Sequence, residues 1–105
     1  MEEFVIRPAL DGSGRPLIEF HGDHRSEKFP KVLSLLQQWL PEFRAHAEPP
    51  VCDDFIWKCS FSGGEFDLSD DWGGLFVIPK EQSEDVVSTV AAALENSGVF
   101  RRVPK

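Results

Sequence analysis

The sequence predicts an α+β fold in two layers, a largely antiparallel sheet covered on one face by two amphipathic helices. Three observations carry that expectation. The strand-like segments come in hairpin groups rather than alternating singly with helices. Two other segments repeat apolar residues at spacings of three and four. Between those segments, Phe55 to Ile78 reads as three short strands joined by two glycine-containing turns. The expected order is ββαβββα with a final short strand, all within a single domain over residues 1–105.

The three-strand meander is the strongest local signal. Phe55, Trp57, Cys59 and Phe61 fall at every second position, the pattern of a strand with one face in a core. Ser62-Gly63-Gly64-Glu65 supplies residues suited to a tight turn. Phe66 and Leu68 then alternate with Asp67 and Ser69. Asp70-Asp71-Trp72-Gly73-Gly74 makes a second turn, leading into Leu75-Phe76-Val77-Ile78. That continuous apolar run suits a central strand covered on both faces, and Pro79 ends it.

Upstream, Phe4–Arg7 and Leu17–Phe20 read as a hairpin about the turn Asp11-Gly12-Ser13-Gly14. A first helix is expected from Ser26 or Phe29, with Pro30 in its first turn. Its apolar face comprises Phe29, Leu33, Leu36, Leu40 and Phe43, flanked by Val32, Leu35 and Trp39. Pro41 should kink or divide it, and Glu48-Pro49-Pro50 should close the segment. A second helix opens at Ser83, which offers a capping hydroxyl, with Glu84 and Asp85 at its positive end. Val86, Val87, Val90, Ala91 and Leu94 form its buried stripe. Gly98 sits where a left-handed residue ends a helix, with Val99 packing back on Leu94. Val99 to Val103 would add the last strand, with Arg101 and Arg102 at its exposed end.

Charge narrows the function classes. The formal net charge is −7, and residues 53–85 alone hold nine carboxylates against Lys58 and Lys80. Such a surface repels phosphate backbones, so no nucleic-acid partner is expected. It would steer a basic protein instead. The apolar runs are far shorter than the ~18 residues of a membrane span. The N-terminus is acidic and without an apolar core, so no signal peptide or membrane partner is expected and the setting reads as cytoplasmic. Cys52 and Cys59 would then be reduced thiols.

Candidate chemistry is sparse. His21, His24, Cys52 and Cys59 lack the close pairing typical of zinc ligands. Cys52 lies beside Asp53 and Asp54, which would raise a thiol's pKa where a nucleophile needs it lowered. Asp67 to Gly73 resembles a calcium loop, but its glycine comes one place late and its twelfth position is Ile78. No catalytic set and no cofactor are therefore expected. The expected function is non-enzymatic: an acidic inhibitor or immunity-type module that neutralises a basic partner such as a toxin or nuclease domain. Asp53, Asp54, Glu65, Asp67, Asp70, Asp71 and Trp72 would form its contact surface. The alternatives are a homodimer joined through a sheet edge or the helix face around Trp39, and a small enzyme or metal protein. The last would use His21, His24 and the Asp67–Asp71 turn.

Overall fold

A computed structural model describes residues 2–8, 14–22, 26–47, 55–71, 74–80 and 83–104. It is a mixed α+β fold with two helices and one seven-stranded, mostly antiparallel sheet. In chain order the elements are β1 (Glu2–Pro8), β2 (Pro16–Phe20), α1 (Val32–Trp39), β3 (Arg44–Ala47) and β4 (Phe55–Phe61). They continue with β5 (Gly64–Asp71), β6 (Gly74–Pro79), α2 (Ser83–Asn96) and β7 (Phe100–Arg102). Across the sheet the strands run β3-β4-β5-β6-β2-β1-β7.

The meander forms as its alternation and turns dictate. Phe61 pairs with Gly64 across a two-residue turn, and Asp71 pairs with Gly74 at the other end of β5. β6 also pairs antiparallel with β2, Phe20 opposite Leu75 and Ile18 opposite Val77, which joins the meander to the N-terminal hairpin. β7 runs parallel to β1, completing the sheet on that side. There Arg101 meets Glu3, and its guanidinium holds the Glu3 carboxyl below the usual range.

Two expectations need correction. The first helix stops at Trp39, and Arg44–Ala47 is an edge strand on β4 rather than a continuation of the helix. Proline is the cause. Leu40, the residue before Pro41, is extended at φ −104 and ψ 132 after its amide donates to the Leu36 carbonyl. Glu42 then takes a positive φ of 57, and the chain turns back to lie beside β4. At the other end, Lys31 is the N-cap, so Pro30 precedes the helix instead of opening it. The second correction concerns β6, which is not covered on both faces. Leu75 and Val77 are buried, whereas Ile78 is 39% exposed.

One apolar cluster joins the core-facing residues of the strands to both helices. Phe4, Ile18, Phe20, Phe66, Leu68, Leu75 and Val77 enter it from the sheet, all on the same side by register. Leu36 of α1 enters it too, as do the expected α2 residues, Val86, Val87, Val90, Ala91 and Leu94. Gly98 closes α2 with φ +77, its amide donating to the Glu95 carbonyl. Val99, by contrast, is 37% exposed and stays outside the cluster. The expected Asp11–Gly14 turn, apart from Gly14, lies outside the described residues, as do Glu48-Pro49-Pro50 and the Ser83 side chain.

Candidate binding surface on the central meander

Strand alternation divides the predicted acidic surface. On β5, Asp67 stands opposite Lys58 of β4 and Ile78 of β6, away from the core. Glu65 has the same parity, opposite Ser60. Asp70 has the other parity. Its register partners are Phe55 and Leu75, and it follows Phe66 and Leu68 on the core-facing side. Glu65 and Asp67 are therefore brought together, while Asp70 is placed on the reverse of the same strand. Asp71 ends β5 opposite Gly74. Asp53, Asp54 and Trp72 lie outside the described residues.

On the outward face, Asp67 and Glu19 stand beside cations. Lys80 Nζ lies 3.8 Å from Asp67 Oδ1, an oxygen that is buried but accepts no hydrogen bond. Lys58 shares that face, so both lysines of residues 53–85 flank Asp67. Arg7 forms a 3.0 Å ion pair with Glu19, and its guanidinium carbon lies 5.6 Å from the centre of the Phe76 ring. Such part-exposed pairs contribute little to stability, about 0–1 kcal/mol each. They do cancel much of the field that the carboxylates would otherwise project. Ile56 and Ile78, each 39% exposed, add apolar area among these charges.

Asp70 has different surroundings. It lines a cavity of about 360 Å³ between the segment entering α1 and strands β4 to β6. Phe29, Leu33, Trp57, Leu68 and Leu75 supply apolar walls, and among the described residues Glu27 and Lys31 are the other charged lining groups. Trp57 and Leu33 also line a second hollow on the β3 side, where Arg44 is the charged member. The cavity was partly legible in the sequence. Continuing the Phe66, Leu68 alternation by one step already assigns Asp70 to the core side. The approach of Phe29 and Lys31 was not legible, because it depends on how α1 docks.

The chemical candidates separate equally plainly. Cys59 is 2% exposed, and its thiol donates toward the Trp57 carbonyl at 3.6 Å. Burial, reinforced by the Asp67 carboxylate, pushes that thiol up to about 12. A thiol so placed stays protonated and unreactive at neutral pH. In a Cys52→Ser background, Cys59 should resist aromatic disulfide reagents in native buffer and react fully in urea. Rapid native labelling would contradict its placement. The same shift has a stability consequence. Stability from keeping this thiol neutral should be complete below pH 9.0 and fall as pH rises toward about 12.

His21 is exposed just beyond β2, where its amide donates to the Glu3 carbonyl, and His46 is exposed on β3. His24 and Cys52 lie outside the described residues. Among the described residues, no three His, Cys, Asp or Glu side chains come together as a metal ion would require. Nor does any described helix have the length and apolarity to cross a membrane. No protein-family model, curated protein or solved structure matches this chain.

Proposed function

We propose that this is a non-enzymatic, acidic protein-binding module whose two helices back one face of the sheet, and that it engages a basic protein partner. An inhibitor or immunity-type role, neutralising a basic toxin or nuclease domain, is the most concrete form of that reading. The observation that carries it is the concentration of the whole formal charge in residues 53–85, which form and flank the meander. A field of that kind accelerates encounter with a cationic surface and discriminates against anionic ones. The contact centres on the end of β5, at Asp70 and Asp71, with exposed Ile56 on the neighbouring strand β4 opposite Ser69. Apolar area ringed by charge suits a protein interface. Glu65 and Asp67 contribute less, being further along the strand and close to Lys58 and Lys80.

Affinity capture from a source lysate at low and high salt, with mass spectrometry, tests this reading. A stoichiometric basic protein should be retained at low salt and released at high salt. Charge reversal at Asp70 and Asp71 should slow its association about tenfold and flatten the salt dependence. Reversal at Glu65 and Asp67 should have the smaller effect. An unchanged on-rate in the Asp70→Lys, Asp71→Lys variant would remove the end of β5 as the contact.

One observation favours a second reading, a homodimer joined through the sheet edge. All four residues of β3 are exposed, and as an edge strand it presents backbone groups able to pair with another strand. Trp39, 43% exposed at the end of α1, adds apolar area nearby. Sedimentation equilibrium separates the readings, since an inhibitor of this kind sediments as a monomer.

A further inference from the structure

We infer that β3, the exposed edge of the sheet, receives an extended segment of a partner protein as an added antiparallel strand, one whose apolar and acidic side chains alternate. This goes beyond the basic-partner reading, which concerns β5, and gives the β3 edge an occupant other than a second copy. Hydrogen-bond parity defines what the edge offers. The Lys80 amide donates to the Glu65 carbonyl at 3.2 Å, so Glu65 turns its backbone groups to β6, and its neighbours Gly64 and Phe66 turn theirs to β4. Phe61, opposite Gly64, and Cys59, opposite Phe66, therefore bond to β5, which leaves Ser60 and Lys58 to bond to β3. The Ser62 amide, donating to the Pro41 carbonyl at 3.1 Å, keeps that alternation. Arg44 and His46 lie opposite Ser60 and Lys58 and spend their backbone groups on β4. Ala45 and Ala47 point theirs away from the sheet. No described strand meets them there, and all four residues of β3 are exposed.

The two faces of β3 select the side chains of the added strand. Ala45 and Ala47 lie opposite Cys59 and Trp57, on the core side, and line a hollow of about 610 Å³ with Leu33 and Phe43 among its walls. Residues paired with those alanines would project on the same side, beside the hollow, where apolar side chains fit. On the outward side stand Arg44 and His46, exposed and, among the described residues, without an ion-pair partner. Carboxylates directly across from them would form favourable cross-strand pairs. Pairing of two β3 strands serves these groups less well. With faces aligned and the centre at Ala45 or His46, it sets Arg44 across from the other copy's His46, or His46 across from itself. At the opposite edge, Arg101 and Arg102 of β7 are already paired with Glu3 and Glu95. Glu48, Asp53 and Asp54 belong to the β3–β4 connection, outside the described residues, and the test removes them as competitors for Arg44 and His46.

The test titrates the unaltered chain with short acetylated and amidated peptides, followed by ¹H–¹⁵N NMR. Glu-Val-Glu-Val-Glu should shift the Ala45 and Ala47 amides, with Lys-Val-Lys-Val-Lys at least about tenfold weaker there. N-methylation of both valines, the residues that would bond to Ala45 and Ala47, should weaken binding at least about tenfold. N-methylation of the central glutamate, whose amide faces away from β3, should change it less than about twofold. Ala45→Pro removes an edge donor and no bond to β4, so it should keep the fold and weaken binding about tenfold or more. If that variant does not fold, the comparison of methylated peptides on the unaltered chain decides alone. In a Glu48→Gln, Asp53→Asn, Asp54→Asn variant the preference for glutamate over lysine should persist or grow. Its disappearance would overturn the inference, as would equal binding by the two methylated peptides or no shift at Ala45 and Ala47. Sedimentation equilibrium should show a monomer, and a dimer that Ala45→Pro dissociates would overturn the inference by giving the edge to a second copy. A silent edge in a protein that still captures a basic partner overturns this inference and leaves the partner reading intact.

Discussion

Phe66→Ala should destabilise the fold by about 3–5 kcal/mol, a large share of the stability expected for one small domain. Phe66 is fully buried on β5, which lies between β4 and β6. Its ring sits 6.1 Å from that of Phe61, near edge-on, and 6.3 Å from that of Phe43. Truncation removes an aromatic payload and leaves a void that neighbours on paired strands cannot close without moving backbone. It also withdraws support from Phe43, the half-buried residue between the end of α1 and β3. Urea titration should show a lower midpoint with an unchanged slope, the sign of lost stability rather than a changed unfolded state. Phe66→Leu should lose less than half as much. A loss below 1 kcal/mol for the alanine variant would mean that the β5 face is not the packed centre of the molecule.

Gly64→Ala should cost about 2–4 kcal/mol although it adds a single methyl group. Two effects combine at this position. Gly64 opens β5 with a φ of +148, a conformation costly for an L side chain. An added Cβ would also lie 2.6 Å from Val86 Cγ2, on the first buried residue of α2. The hairpin turn and the helix therefore meet where only a glycine leaves room. A double-mutant cycle separates the two contributions. Val86→Ala makes space for the new methyl, so the double variant should recover about 1–2 kcal/mol relative to additivity, leaving the backbone cost in place. Gly98→Ala is the control. Its φ is +77 with nothing within 4 Å of an added Cβ, so it should show the conformational cost alone, about 1–2 kcal/mol. Equal losses at Gly64 and Gly98 with no coupling to Val86 would mean that α2 does not press on the hairpin.

The sequence by itself determined the elements whose information is local. Alternation at Phe55, Trp57, Cys59 and Phe61, and again at Phe66 and Leu68, specifies strands whatever they pair with. The glycine-bearing turn after Phe61 specifies the two-residue connection found between Phe61 and Gly64. The α2 stripe and the closing role of Gly98 are equally local, being set by helical period and by left-handed backbone. The excess of carboxylates in residues 53–85 is a property of composition alone.

Tertiary structure decided what local pattern leaves open. Phe43 and Arg44 continue the helical spacing of α1 in sequence, yet Pro41 releases the chain at a point where β4 offers an unpaired edge. Hydrogen bonds to that edge outweigh a few residues of helical propensity. Phe76 and Ile78 read as residues of a doubly covered strand, but half-buried Phe76 lies beneath the Arg7 guanidinium and Ile78 faces outward beside Asp67. A linear sequence carries no record of which sheet face the helices will occupy. The acidic segment was divided for the same reason. Strand geometry alternates side chains between faces, so adjacent carboxylates can belong to different surfaces. Asp67 joined the lysines, and Asp70 joined a cavity lined by residues of the 26–34 segment together with Trp57, Leu68 and Leu75.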